Sequence, residues 1–374
     1  MSRLEKIVKK TISRLACVAG LSLVLSSTNC SNSPVFNINH GRVIENIDGA
    51  EPQGRFGAFF TPIMGVSFPN PNNLGKHSYV PSFSEKNSII YTNKAGFIDI
   101  AHLRKAADWT AFLAAKSYEN LKNNQEEFTF NLKEPSIYHV KIKYPENWQN
   151  FSEEEREKIM FESSVKLGQY FSYTATTWHE ILTWFGYSST GLVSDFPSAF
   201  SWEDQFSNLL GTHVAVQALQ DSQHEYNESI TLALEKQLKE LDAQPSSTAK
   251  KATREAMRLW TKSFLGFTDM KKRNFDIGEN GFVTAWNPLS NPQLQPLNQY
   301  PVPNLDFSRE GFLIKLELDP REWEKDKILN IIYPDKNPDA RRDRLEPTIH
   351  FPLIMDYIRR DAIKKYGVNV DKPF

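Results

Sequence analysis

Residues 174–186 read T-A-T-T-W-H-E-I-L-T-W-F-G, and this stretch decides how the middle of the chain folds. Its apolar residues recur at helical spacing, because an α-helix turns by about 100° per residue. The residues that share one face are Phe171, Ala175, Trp178, Leu182 and Phe185. Upstream, S-E-E-E at 152–155 is a capping box, and Gly186 is a typical residue to end a helix. The pattern predicts a long, central and largely buried helix from the capping box to Gly186, with a break at Gly168.

A polar pair, His179 and Glu180, interrupts this aromatic helix. The pair looks like the start of the zinc-hydrolase pattern H-E-x-x-H, but Thr183 stands where the second histidine would be. Thr176 lies one turn before the pair. A buried pair without partners would cost several kcal/mol, so something must satisfy it. Either the two threonines and a neighbouring helix do so, or residues from elsewhere in the chain complete a metal site.

A second stretch, G-F-I-D-I-A-H-L-R at 96–104, supplies candidate ligands for such a site. Asp99 and His102 stand three positions apart near the start of a predicted helix, so a carboxylate and an imidazole share one face. The alternative is a helix-capping aspartate and a histidine satisfied in the core. If the helices pack together, Asp99, His102 and His179 are the predicted ligands, and the two histidines lie close in space. Glu180 would be a further ligand or the general base, and Zn²⁺ would be the first choice of ion, followed by Mn²⁺ or Fe²⁺.

Four other polar residues are candidates to support the ligands or to bind substrate. Arg104 and Asp108 are four positions apart, so an ordinary surface ion pair is one interpretation and an anion-binding Arg104 is the other. Asp204 either is a first-turn acid of the next helix or accepts a hydrogen bond from a ligating imidazole. The full set is Arg104, Thr183, Asp204 and Asn208.

The remaining patterns predict helices joined by short antiparallel pieces. The other predicted helices lie near 98–122, 202–220, 228–242, 249–265 and 351–365, with hairpins at 126–144 and 275–284 and a strand at 312–318. The fold class is therefore α+β, with a mostly helical core and small antiparallel β-hairpins.

Charge and composition limit the possible functions. The chain has 374 residues, of which 40% are apolar, and its 44 basic and 45 acidic residues give a net charge of −1. This composition suits a folded domain with a sizeable core. A nucleic-acid-binding protein would show a basic surplus, so we expect no nucleic-acid partner.

The N-terminus has the pattern of a lipoprotein signal peptide. A basic segment at 1–14 precedes an apolar segment at 15–25, which is too short to span a bilayer, and Cys30 follows it. We expect a signal peptide over 1–30 and a tether over 31–50, and lipidation of Cys30 would anchor the chain to the membrane, although Asn29 departs from the small residue expected there. The single globular domain would be 51–374, exported to a bacterial cell envelope and held on its periplasmic or outer face.

Three blocks of sequence resemble a known group of proteins. They are I-I-Y-T at 89–92 followed by G-F-I-D-I-A-H-L-R, then T-W-H-E-I-L-T-W-F-G at 177–186, then S-W-E-D-Q-F-S-N-L-L-G at 201–211. The chain resembles an uncharacterised family of bacterial exported or lipoprotein-like proteins, defined as a domain of unknown function, over about residues 50–365. The resemblance implies export and an envelope location, and it implies no activity.

Two functions from different classes fit these observations. The first is an envelope lipoprotein that is a metal-dependent hydrolase of unknown substrate. The second is a non-catalytic envelope lipoprotein that binds a protein or a cell-wall component, in which the same residues form a buried network. A serine hydrolase that uses Ser188 with His179 is a weaker possibility, because the G-x-S-x-G pattern is absent.

Overall fold

The fold is known from a computed structural model, which describes residues 51–55, 68–189, 191, 194–260, 270–287, 299–334 and 341–372. The predicted signal peptide, Cys30 and the tether lie outside these residues. The described part of the chain contains seven helices and three small antiparallel sheets, so the prediction of an α+β fold is confirmed. None of the described helices is both long enough and apolar enough to cross a membrane.

Six of the seven described helices were predicted from the sequence. The seven are α1 (Ile100–Lys122), α2 (Glu153–Phe185), α3 (Asp204–Leu219), α4 (Tyr226–Glu240), α5 (Ser246–Trp260), α6 (Lys325–Ile332) and α7 (Pro347–Tyr366), and α6 was not predicted. Helix α1 is the centre of the fold, because it packs against both α2 and α3. Helix α4 packs on α3, and α7 packs on α2.

The strands form two hairpin-like pairs and one three-stranded sheet. They are β1 (Ile89–Thr92), β2 (Gly96–Asp99), β3 (Glu127–Phe130), β4 (Ile137–Lys143), β5 (Phe282–Thr284), β6 (Gln299–Pro301) and β7 (Leu313–Asp319). Strand β1 pairs with β2, β5 pairs with β6, and the larger sheet has the order β3-β4-β7. The predicted hairpin at 275–284 is wrong, because the side chain of Asp276 accepts the N–H groups of Gly278 and Thr284 and holds this segment in an irregular turn.

Helix α2 confirms the prediction of a long buried helix, with one correction. Ser152 and Glu155 form the capping box, and Gly186 ends the helix with a φ of 110°. The helix runs without a break through Gly168, because this glycine marks a close helix crossing. A Cβ atom added there would lie 2.4 Å from the carbonyl oxygen of Thr110 in α1, so glycine allows α1 and α2 to touch.

Two main clusters of apolar side chains hold the layers together. The first fills the space between α2, the three-stranded sheet and α7, where Trp178 stacks on Phe351 with ring centroids 6.0 Å apart. The second fills the space between α1, α3 and α4. Polar residues at the N-terminal ends of α1 and α3 lie close together, and they form the candidate site.

Candidate metal centre

Asp99 is the last residue of β2 and the N-cap of α1, and it uses its two carboxylate oxygens differently. Oδ1 accepts hydrogen bonds from the backbone N–H groups of Ala101 at 2.7 Å and His102 at 3.2 Å, so it caps the helix. Oδ2 lies 3.0 Å from Nδ1 of His102. The two interpretations drawn from the sequence are therefore compatible: one oxygen caps the helix, and the other faces the imidazole.

Asp204 reaches the same point from the first turn of α3. The two helices are fixed to each other here, because the backbone N–H of Asp99 donates to Oγ of Ser207 at 2.9 Å. Oδ1 of Asp204 lies 3.3 Å from Nδ1 of His102. Asp99, His102 and Asp204 each offer one possible ligand atom, and these three atoms lie within 4.8 Å of one another. We call these three residues the triad.

Nδ1 of His102 faces two carboxylate groups at once. Nδ1 is buried and has two carboxylate oxygens at 3.0 and 3.3 Å, yet neither lies in the direction required for a hydrogen bond, and no other described residue provides one. Around one ion with bonds of about 2.0–2.2 Å, neighbouring ligand atoms are about 3.0–3.5 Å apart. The two separations from Nδ1 match that spacing. The side chain of His102 is 18% exposed, whereas Nδ1 and the side chain of Asp99 are buried.

The triad places two buried carboxyl groups beside one imidazole. Burial would lower the pKa of His102, but the charges of Asp204 and Asp99 outweigh burial and raise it to about 10. Burial raises the pKa of Asp204 well above its usual range, against the opposing charge of His102. Burial also raises the pKa of neighbouring Glu203 to about 7. Carboxyl groups that hold their protons so strongly indicate a place where a cation would be favoured.

His179 and Glu180, the other residues of the predicted metal site, do not belong to the triad. Nδ1 of His179 is 2.8 Å from Oε1 of Glu134, a residue in the turn between β3 and β4. Glu180 is 3% exposed, and its Oε2 accepts the backbone N–H of Phe200 at 2.6 Å. The partners of the His–Glu pair thus come from the β3–β4 turn and from the segment before α3, and the role of Glu180 as general base stays a prediction.

Arg104 and Asp108 lie in positions that the sequence did not indicate. Arg104 and Asp108 are both 0% exposed, so the prediction of a surface ion pair is wrong. Arg104 donates to the carbonyl groups of Leu74 and Gly75 and to Asn87. Asp108 is bound instead by residues from distant segments.

Thr183 and Asn208 are both buried. The hydroxyl of Thr183 and Oδ1 of Asn208 have no hydrogen-bond partner among the described residues. Neither belongs to the triad, so their predicted support of a ligand remains a prediction.

The sequence reasoning missed Glu134 and gave Asp204 only a supporting role. Glu134 stands in the turn K-E-P-S at 133–136, which is a hairpin signal with no chemical signature of its own. Asp204 directly follows Trp202 and Glu203 at the start of α3, and all three are buried. Two adjacent acids at a buried helix start need a positive partner, but their burial could not be read from the sequence.

Comparison with protein families places this geometry in a wider group. The family described as "Protein of unknown function (DUF4056)" matches residues 68–282, which is more than half of the chain. The chain belongs to the DUF4056 family. The matched DUF4056 region contains the triad together with His179 and Glu134, whereas α6, α7 and β7 lie beyond it. No curated protein and no solved structure matches the chain.

Proposed function

We propose that this chain is an envelope lipoprotein that binds a divalent metal ion through Asp99, His102 and Asp204 and acts as a metal-dependent hydrolase. The observation that carries the proposal is the convergence of three ligand atoms from two helices, with Nδ1 of His102 lacking a hydrogen bond. Two carboxylates and one imidazole suit Zn²⁺, Mn²⁺ or Fe²⁺. Three protein ligands leave coordination positions for water and substrate, and an ion held there would supply a water whose pKa falls toward about 7.

Metal analysis of the purified full chain tests this proposal. We expect about one Zn²⁺ per chain after loading and dialysis, because three ligands with this spacing form most of a tetrahedral site. Replacing Asp204 by asparagine should weaken binding at least tenfold, since it removes a charge but keeps the shape of the side chain. A His224→Ala variant is the matched control, because His224 also contacts a carboxylate, Asp221, at 2.8 Å but lies away from the triad. A wild-type chain that takes up no ion, or an Asp204→Asn chain that binds as the wild type does, would contradict the proposal.

A second function is favoured by one specific observation. Asp99 and Asp204 raise the pKa of His102 so far that a protonated imidazole could balance part of their charge without an ion. In that case the triad is a buried ion network, and the chain is a non-catalytic envelope lipoprotein that binds a protein or a cell-wall component. The metal titration separates the two functions, since an ion network would retain its proton and exclude the ion.

The location in the envelope has its own test. We expect that replacing Cys30 by serine releases the chain from the membrane fraction, because the lipid would be attached to this thiol. Cys17→Ser is the matched control, since Cys17 lies in the apolar segment and would be removed with the signal peptide. Unchanged fractionation of Cys30→Ser, together with no lipid mass on the wild type, would rule out this anchor.

A further inference from the structure

His179 and Glu134 form a carboxylate–imidazole pair that the triad does not include. Oε1 of Glu134 is 2.8 Å from Nδ1 of His179. Burial would raise the pKa of Glu134, but the hydrogen bond and charge of His179 outweigh it and lower the pKa to about 2. The carboxylate is therefore ionised at neutral pH and accepts the proton of Nδ1. This arrangement places the lone pair of a neutral ring on Nε2.

The pair is held rigidly by its neighbours in sequence. Trp178, which precedes His179, donates its indole N–H to Oγ of Ser136 at 3.0 Å. Ser136 stands two residues after Glu134, and both its backbone N–H and its hydroxyl donate to Glu322 at 2.9 and 2.7 Å. Helix α2 and the β3–β4 turn are thus joined by a second hydrogen bond beside the pair, and this support helps to fix the direction of the imidazole.

Nε2 of His179 is available to accept a proton. Among the described residues, no hydrogen bond reaches Nε2, and the side chain is 19% exposed. A buried structural histidine normally satisfies both ring nitrogens. An imidazole with one nitrogen fixed by a carboxylate and the other facing solvent is arranged as a general base is.

The packing of α1 against α2 connects the pair with the triad. The hydroxyl of Ser172 in α2 donates to the carbonyl oxygen of Ala106 in α1 at 2.9 Å. Gly168, one turn earlier in α2, lies against the carbonyl oxygen of Thr110, one turn later in α1, so the two helices run antiparallel here. Two turns onward along α2 lead from Ser172 to His179, and two turns back along α1 lead from Ala106 to the start of α1, where the triad lies. The pair and the triad are therefore at the same end of this helix crossing.

We propose that His179 is the proton-transfer residue of the site that the triad forms, and that Glu134 is the residue that positions it. This inference rests on the proposed hydrolase function. Nε2 accepts one proton of the attacking water while the water oxygen bonds to the electrophilic atom of the substrate. The bond to the leaving group then breaks, and Nε2 returns the proton to that group. No oxidant or further reactant is needed.

Broadening of NMR signals by a paramagnetic ion shows whether His179 lies close to the triad. The full chain, purified in detergent with isotope-labelled histidine, is titrated with Mn²⁺, and the ring signals are assigned with single His→Asn variants. We expect substoichiometric Mn²⁺ to broaden the signals of His102 and His179, because relaxation falls steeply with distance from the ion. His224 should stay sharp. The Asp99→Asn variant should lose both effects.

The outcomes separate the two proposals. If His102 broadens and His179 stays sharp, the metal site stands and the proton-transfer role of His179 is overturned. If neither signal changes, the metal site fails, and the inference that rests on it fails too. The positioning role of Glu134 has a separate readout, the ¹⁵N shifts of the ring. Glu134→Ala should move the proton of His179 from Nδ1 to Nε2, and Glu134→Gln, which keeps an acceptor oxygen, should restore it. An unchanged tautomer in Glu134→Ala would overturn this role.

Discussion

Replacing Asp108 by alanine is expected to destabilise the fold by about 3–5 kcal/mol, the cost of breaking a buried ion pair from one side. Asp108 is 0% exposed and lies at the centre of a closed network. Its carboxylate accepts from Arg55 at 2.6 Å, from Tyr226 at 2.9 Å and from Nε2 of His77 at 2.9 Å. Without it, Glu85 at 2.8 Å is the one charged partner that the guanidinium of Arg55 keeps among the described residues. Water cannot reach a buried charge to replace the partner that it has lost.

Urea unfolding of the wild type and the variant measures this loss. Asp221→Ala is the matched control, because Asp221 also contacts a histidine, His224, but in a pair that is partly exposed. Exposed pairs contribute about 0–1 kcal/mol, so the control should lose little. A loss below about 1 kcal/mol for Asp108→Ala, or an equal loss for Asp221→Ala, would show that the network does not hold the fold.

The same comparison has an expected pH dependence. Burial would raise the pKa of Asp108, but the charges of His77 and Arg55 outweigh burial and lower it. A carboxyl group with a depressed folded-state pKa stabilises the fold above its unfolded pKa of about 3.9. This contribution is lost as the pH falls through the folded-state pKa. The stability difference between wild type and Asp108→Ala should therefore be full at pH 6 and shrink in acid below about pH 4.

Helical periodicity was enough to predict most of the fold. The apolar face around Trp178, the capping box at Ser152 and the terminating Gly186 are local signals, and each acts within one or two helical turns. Gly168 was misread for the same reason. Within the helix it looks like a weak point, and only the backbone of Thr110, 58 positions earlier in the chain, shows why a glycine is needed there.

In the candidate site, too, the local contacts could be predicted from the sequence and the distant contacts could not. Asp99 and His102 could be paired from the sequence, because three helical positions fix their separation. The partner of His179 could not, since Glu134 comes from a turn 45 positions away. Asp108 looked like a surface residue because its partners Arg55 and His77 belong to irregular segments without a periodic signal.

The position of Asp204 depends on how closely α3 approaches α1, and Gly211 sets that approach. A Cβ atom at Gly211 would lie 2.1 Å from the carbonyl oxygen of Leu103 and 2.9 Å from its carbonyl carbon. Both are backbone atoms of the residue that follows His102, so no side-chain rotation can relieve the overlap. Alanine also has a higher helix propensity than glycine by about 1 kcal/mol, which opposes the cost of the overlap. The overlap is the larger effect, because separating two packed helices removes contacts along their whole crossing.

Gly211→Ala is therefore expected to destabilise the fold by about 3 kcal/mol and to weaken metal binding by the triad, although it alters no ligand. The helix would have to move outward, and Asp204 on α3 would move away from Asp99 and His102 on α1. Urea unfolding measures the first effect, and Zn²⁺ titration at a temperature where the variant is still folded measures the second. Gly367→Ala is the control for zinc binding, because no atom lies within 4 Å of a Cβ there. The φ of 95° adds about 1–3 kcal/mol of backbone strain for alanine, so this variant loses stability but should bind Zn²⁺ as the wild type does. If Gly211→Ala is as stable as the wild type and binds Zn²⁺ as the wild type does, close packing of α1 against α3 does not assemble the triad.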